Sequence, residues 1–176
     1  MTDLMEDTKL LRIYLNDHLA GSIAGEELAK RTRSNNAGTP LADYLDGFLV
    51  ELKEDQLVVE DLLDSIDATK DRVKQLAAWI AEKAGRLKLN GRVTGYSDLS
   101  RLLELEGLCL GVEGKLSLWR SLETVRSHPA LVALHLDALI ERAETQRAGL
   151  EVFRREAAVI ALAGNPELEA GSGVEI

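Results

Sequence analysis

The chain has 176 residues, of which 45% are hydrophobic, 29% charged and only 4% aromatic, and its formal net charge is −9. This length is enough for one domain with a full core, and a composition rich in Leu, Ala, Glu and Arg favours an all-helical protein. The negative charge excludes free nucleic acid as an expected partner, because binding to phosphates requires a basic surface.

Three features of the sequence concern its compartment. The single cysteine, Cys109, cannot form an intrachain disulfide, which suits a reducing cytoplasm. Because Cys109 stands in an apolar run, we expect a buried structural thiol rather than a nucleophile. Residues 1–7 lack the pattern of a signal peptide, and no apolar run approaches the roughly 20 residues that span a bilayer. We therefore predict a cytoplasmic protein that does not contact membranes.

The first two predicted helices cover residues 8–33 and 39–67, approximately. One stripe of helix one is apolar at its start and small or polar in its middle, where His18 lies. Asn36 and Gly38 supply the turn that ends this helix. Thr39 provides a capping hydroxyl and Pro40 a first-turn proline, so the two residues predict the start of helix two.

Helix two carries the most regular pattern of the chain. Its apolar residues recur at alternating steps of four and three, the spacing of a stripe that packs against neighbouring helices. Asp55 occupies the middle of this stripe. A carboxylate in that place requires a cation, a metal ion or a proton to offset its desolvation. The apolar members are Leu41, Leu45, Phe48, Leu52, Val59, Leu62 and Ile66.

The predicted crossover covers residues 68–96 and contains a short extra helix at about 70–84. A locally basic stretch follows that extra helix, and we expect its charges to pair with surface carboxylates. Ser97 predicts the start of helix three, at about 97–126. The opening His128-Pro129 predicts helix four, at about 129–162, and residues 164–176 form a flexible tail.

Helix three contains three glycines, Gly107, Gly111 and Gly114. Each glycine costs about 1 kcal/mol relative to alanine inside a helix, so their presence needs a reason. Close approach of another backbone is the natural one. Gly21 and Gly25 of helix one form a matching surface, and we expect the two glycine surfaces to touch.

The connections between the four helices are short, long and short. A short connection joins antiparallel neighbours, whereas about 30 residues are enough to return along the length of a bundle. The chain is therefore predicted to be all-α: a ferritin-like four-helix bundle with one long crossover, in a single domain of residues 1–176.

Two segments of the sequence support this fold by resemblance. Residues 14–21 (YLNDHLAG) and 103–115 (LELEGLCLGVEGK) resemble a bacterial, actinobacterial branch of the ferritin-like superfamily. The resemblance covers about residues 8–162. It implies the four-helix fold and identifies the branch better than it identifies an activity.

The metal motif of that superfamily is missing. Ferritin-like carboxylate proteins hold two iron or manganese ions with a Glu on each of two helices and Glu-x-x-His on each of the others. This chain contains no Glu-x-x-His. Two Glu-x-x-Glu segments begin at Glu51 and Glu141, but helical phase turns Glu141 towards solvent, whereas Glu51 can reach inward.

Several polar residues fall at a similar height in the middle of the predicted bundle. His18, Asp55 and Glu113 could bind one metal ion, or a degenerate pair. Alternatively, Arg142 or Lys115 neutralises the two carboxylates in a buried ion-pair network. A third possibility leaves Asp55 or Glu113 at the solvent rim. We favour the network with Arg142.

The sequence indicates the function of the protein less directly than it indicates the fold. We expect a non-enzymatic bundle that acts as an interaction or stress-related module and self-associates, without catalytic residues or a cofactor. The alternative is a divergent iron- or manganese-binding oxidase or metal-storage protein. A third possibility is a binder of a small apolar or acidic ligand. Tyr14 and Trp119 could line a pocket beside the glycine surfaces, although aromatic residues at helical spacing usually belong to the core.

Overall fold

A computed structural model describes residues 2–66 and 95–163, with side chains from residue 8 onward. Within those ranges the chain forms four long helices and one short 3-10 turn, and no strand. The all-α prediction is thereby confirmed. None of the described helices combines the length and apolarity needed to cross a bilayer. The elements are α1 (Thr2–Asn35), α2 (Pro40–Ile66), α3 (Asp98–Thr124), the 3-10 turn (Pro129–Leu131) and α4 (Leu136–Ala163).

The predicted start signals of α2 and α3 act as expected. The Thr39 hydroxyl accepts the N–H of Ala42 at 3.4 Å, and the Ser97 hydroxyl accepts the N–H of Ser100 at 3.2 Å. Each bond satisfies a donor that the first turn of a helix leaves free. Gly38, with φ +80°, provides the left-handed residue that turns the chain from α1 into α2.

Two predicted boundaries were wrong. Helix α1 begins at Thr2 rather than near residue 8. Helix α4 begins at Leu136 rather than at Pro129, because the His128 ring accepts the N–H of Ala130 at 3.2 Å and caps a separate 3-10 turn. Burial of Leu131 (1% exposed) anchors this turn in the core. The chain then changes direction before α4.

The helices form a bundle with defined directions. Leu28 of α1 lies against Gly107 of α3, and Arg31, three residues later, pairs with Glu104, three residues earlier, at 2.8 Å. These two helices are therefore antiparallel. In the same way α1 is antiparallel to α2 across their short turn, and α3 to α4. Helix α2 contacts the 3-10 turn and α4, and each of the two core clusters contains residues of both α1 and α4.

Helices α2 and α3 run in the same direction. Leu45 and Leu105 share one core cluster, while Leu62 and Leu122 share the other, so both helices pass from the first cluster to the second. Ile66 and Asp98 consequently lie at opposite ends of the bundle. The predicted extra helix and basic stretch lie outside the described residues.

The two core clusters are separated by a polar layer at mid-height. Asp55 stands between Leu52 of one cluster and Val59 of the other, and Lys115 and Gln146 occupy the same place in α3 and α4. Each fully buried Leu on either side contributes about 1.5–3 kcal/mol. Burial of apolar side chains in the two clusters therefore stabilises the bundle, and the polar side chains of Asp55, Lys115 and Gln146 lie between the clusters.

Candidate functional site

Asp55 is the centre of the polar layer. It is 3% exposed, and Lys115 Nζ donates a hydrogen bond to its Oδ2 at 2.5 Å. Arg142 Nη2 lies 3.0 Å from Oδ1, in an ion pair without an aligned hydrogen bond. Both oxygens of the carboxylate therefore face a protein cation. This arrangement, with Lys115 and Arg142 beside Asp55, is the one that the ion-pair interpretation describes for this carboxylate.

The network continues through the amide of Gln146. Lys115 Nζ donates to Gln146 Oε1, and Gln146 Nε2 donates to Glu51 Oε2 at 2.6 Å. On the other side, Arg142 Nη1 contacts Glu54 Oε2 at 2.5 Å. The layer thus alternates donors and acceptors across α2, α3 and α4. We call Glu51, Asp55, Lys115, Arg142 and Gln146 the central polar layer.

Burial favours the neutral forms of both Asp55 and Lys115, the central pair of this layer. Desolvation raises the pKa of Asp55 above its usual value, although Lys115 and Arg142 oppose the rise. Desolvation likewise lowers the pKa of Lys115, with Asp55 opposing. Each charge is therefore maintained by the other, as expected for ions removed from water. Loss of either partner would leave a buried charge without compensation.

The residues considered as metal ligands are not brought together in one set. Glu113 is 47% exposed and pairs with Arg147 at 2.7 Å. His18 packs edge-on against the Tyr14 ring, with 4.6 Å between centroids. Across residues 2–66 and 95–163, no three His, Cys, Asp or Glu side chains form a group that could hold a metal ion. With both Asp55 oxygens beside cations, these residues do not fit an iron or manganese centre.

Tyr44 closes the layer on the side of α4. Its hydroxyl donates to the backbone carbonyl of Gln146 at 2.9 Å, and its ring packs against Phe153, with 5.2 Å between centroids. Burial raises the pKa of Tyr44 to about 12, so this hydroxyl stays protonated and keeps donating. Gly149 makes room for the ring, because a Cβ there would lie 2.5 Å from Tyr44 Oη.

A cavity of about 350 Å³ adjoins the polar layer between α1, α2 and α3. Its wall includes glycines of both α1 and α3, and Asp55 and Lys115 belong to it as well. Lining residues with exposed surface lie on α1 and α3, so the cavity opens between these two helices. The glycines of its wall are Gly21, Gly25, Gly111 and Gly114.

The prediction that the glycine surfaces touch was wrong. A Cβ added at Gly21, Gly25, Gly111 or Gly114 would meet no atom within 4 Å. Of the five glycines in these two surfaces, only Gly107 is closely approached: Leu28 Cδ2 would lie 2.9 Å from a Cβ added there, so the neighbour is a side chain rather than a backbone. The other four glycines leave space between α1 and α3, and this space is the cavity.

Comparison with known proteins gave no guide to this site. No family model, no curated protein and no solved structure shows significant similarity to the chain. Any function must therefore be argued from the central polar layer and the cavity. Both features are formed by residues that lie far apart in the sequence.

Sequence reasoning missed the parts played by Tyr44 and Gly149. Neither stands out in the pattern of its own helix, and only their contact gives them a role. A pocket beside the glycine surfaces was considered from the sequence, but contact between these surfaces was preferred, although small residues that face each other on two helices are as consistent with space as with contact. Of the two aromatic residues considered for that pocket, Trp119 is among the residues that line the cavity and Tyr14 is not. Cys109 is half-buried, and burial raises the pKa of its thiol.

His18 lies at the wall of the cavity, and its burial predicts that the free energy of unfolding of the protein depends on pH. Burial lowers its pKa below 6.5, with Asp17 opposing, so below that pH the unfolded chain binds a proton more readily than the folded one. Stability should therefore fall as the pH drops below 6.5. We expect the free energy of unfolding of the parent, minus that of His18→Gln, to decrease from pH 7 to pH 5. Urea unfolding at several pH values measures this difference. A difference that stays constant or grows over that interval would contradict the prediction.

Proposed function

We propose that this chain is a non-enzymatic bundle of the ferritin-like type that acts as an interaction or stress-related module. Support for this fold type comes from the directions of the helices. Helices α1 and α2 form one antiparallel pair and α3 and α4 form another. Helices α2 and α3 run parallel, so that the end of α2 and the start of α3 lie at opposite ends of the bundle. A connection that spans the bundle is typical of ferritin-like proteins. Fold alone does not fix activity.

The observation that carries the proposal is the neutralisation of Asp55 by two protein cations. In a ferritin-like carboxylate centre, acidic side chains at mid-bundle hold metal ions. Here Lys115 and Arg142 stand next to both oxygens of the central carboxylate. A metal ion would have to displace these cations and would meet their repulsion. The layer is therefore suited to fixing the register of the helices rather than to binding ions.

Exposed apolar side chains on α3 and α4 support self-association. Leu103 and Leu110 of α3 are 58% and 74% exposed, and Val152 and Val159 of α4 are each 56% exposed. On each helix the pair is seven residues apart, which places its members on one face. A second copy of the chain could cover these side chains.

Metal analysis and size measurement test the proposal together. Protein purified without an affinity tag and without chelator should contain iron and manganese far below one ion per chain by elemental analysis. A content of one or two ions per chain, lost in Asp55→Asn, would overturn the proposal and favour the metal-binding oxidase or storage alternative.

The same preparation should be larger than a monomer in light scattering. Leu110→Glu should reduce this mass, because a charge in an apolar contact is strongly unfavourable. Leu57→Glu is the matched control, since Leu57 is also exposed (48%) but lies on α2. A monomeric parent protein would contradict self-association.

A further inference from the structure

The start of α3 has few apolar contacts with the rest of the bundle. Residues 95–99 are exposed and residues 100 and 101 are half-buried, so the first core side chain of this helix is Leu102, which is 4% exposed. Burial of apolar side chains therefore stabilises α3 only from its second turn onward. Segments with few buried apolar contacts open at a lower free energy than the whole protein. Residues 95–101, which we call the α3 entry, thus need another means of attachment.

Tyr96 provides this attachment. Its hydroxyl accepts a hydrogen bond from Asn36 Nδ2 at 2.8 Å and donates one to Glu104 Oε2 at 3.1 Å. Both partners are buried: Asn36, which directly follows α1, is 3% exposed, and Glu104 of α3 is 8% exposed. One oxygen atom therefore joins the α3 entry to the turn between α1 and α2.

The other polar side chains of the α3 entry bond only within it. Ser97 hydrogen-bonds Ser100 at 3.0 Å, and Arg101 pairs with Asp98 at 3.7 Å. Within the described part of the protein, Tyr96 is the only residue of the entry whose side chain bonds to another element. Loss of this one attachment would free the entry, whereas the buried leucines further along would keep the rest of α3 in the core.

The partners of Tyr96 are themselves held in place. Asn36 Nδ2 also donates to the backbone carbonyl of Thr32 at 2.7 Å, and Arg31 Nε donates to Glu104 Oε1 at 2.8 Å. Burial raises the pKa of Tyr96, and the Glu104 carboxylate adds to the rise, although the bond from Asn36 opposes it. The hydroxyl therefore stays protonated and continues to donate to Glu104.

We propose that Tyr96 acts as a latch that keeps the α3 entry closed. When its bonds to Asn36 and Glu104 break, the entry opens as a unit about Gly95, while the four-helix core stays closed. Gly95 has φ +85°, a conformation that glycine adopts without strain, and glycine has more freedom to rotate away from it than other residues have.

Release of the latch changes the surface of this end of the bundle. Leu99 and Leu103 are already 49% and 58% exposed. Opening of the turn that precedes Leu102 uncovers this side chain beside them. The latch thus controls how much apolar surface the start of α3 presents to solvent, and it depends neither on self-association nor on metal content.

Hydrogen exchange measures this opening directly. The carbonyls of residues 97–101 accept the N–H groups of residues 101–105 in the helix, as the bond from Arg101 to Ser97 at 3.0 Å illustrates. Tyr96→Phe retains the ring and removes both hydrogen bonds. The amides of residues 101–105 should then exchange about tenfold faster, which corresponds to the loss of one to two net hydrogen bonds. The amides of α2 and α4 should keep the parent rates.

Tyr44→Phe is the matched control for the lost hydroxyl. It also removes a tyrosine hydroxyl that bonds across elements, in this case to the backbone carbonyl of Gln146, and it should leave the exchange of residues 101–105 unchanged. Asn36→Ala tests the bond itself. In that background Tyr96→Phe should accelerate exchange of residues 101–105 less than in the parent, because one of the two bonds is already absent.

Three outcomes would overturn the latch. The amides of residues 101–105 could keep the parent rates in Tyr96→Phe, all four helices could exchange faster by the same factor, or Tyr96→Phe could have the same effect with and without Asn36. Molecular mass and metal content do not enter these measurements. Failure here is therefore distinguishable from failure of the proposed function.

Discussion

Lys115→Met should destabilise the protein by about 3 kcal/mol, whereas the double variant Asp55→Leu/Lys115→Met should unfold at nearly the same denaturant concentration as the parent. The single change leaves the Asp55 carboxylate in an apolar layer with Arg142 as its remaining cation. The double change removes both charges and replaces them with apolar groups of similar size. Urea unfolding of the parent, both single variants and the double variant gives a coupling energy, which should exceed about 2 kcal/mol.

An exposed ion pair provides the control for this cycle. Arg120 and Glu144 join the same two helices, α3 and α4, at 2.6 Å, but their side chains are 53% and 52% exposed. Because water screens exposed pairs, the Arg120→Met/Glu144→Leu cycle should give a coupling of less than about 1 kcal/mol. If the effects at Asp55 and Lys115 were simply additive, the central pair would not be the buried unit described.

Gly149→Ala and Gly111→Ala should change stability in opposite directions. A Cβ at position 149 would lie 2.5 Å from Tyr44 Oη, whereas one at position 111 would meet nothing within 4 Å. Gly111→Ala should therefore stabilise the protein by about 1 kcal/mol through helix propensity. Gly149→Ala should destabilise it by about 1–3 kcal/mol, because the overpacked Tyr44 ring must move and its bond to Gln146 is lost.

Tyr44→Ala, as a second substitution, separates the clash with the Tyr44 ring from the effect of helix propensity at position 149. In a Tyr44→Ala background the obstacle to the new methyl group is gone, so Gly149→Ala should become stabilising by about 1 kcal/mol. Thermal or urea unfolding of the four proteins measures both effects. Destabilisation by Gly149→Ala that persists without the Tyr44 ring would show that the glycine is required by its backbone instead.

The sequence was sufficient for features that depend on local rules. The stripe of α2 placed Leu41, Leu45 and Phe48 in the core, and the capping residues Thr39 and Ser97 marked the starts of α2 and α3. These features follow from helical periodicity and from the unpaired N–H groups of a first turn, which neighbouring residues decide. The same local rules failed at Pro129, because the burial of Leu131 diverted the chain into a separate turn.

The candidate site was predictable only in part. An acidic residue in the middle of an apolar stripe must be neutralised, so Asp55 could be identified as the centre of a polar layer from the sequence alone. Whether its partners would be cations of the protein or a metal ion depended on which side chains of α3 and α4 reach the same height. Glu113, which looked equivalent in sequence, is turned outward to Arg147 by the rotation of α3.

By itself, then, the sequence determined that this protein is helical, where two of its helices begin, and which buried carboxylate needs a counter-charge. Only the tertiary structure decided that Lys115 and Arg142 supply this charge, that Tyr44 fits over Gly149, and that the small residues of α1 and α3 enclose space. The physical reason is that periodicity and capping act over a few residues of one helix. The pairing of charges and the gap between helices depend on the relative rotation and spacing of segments that lie far apart in the chain.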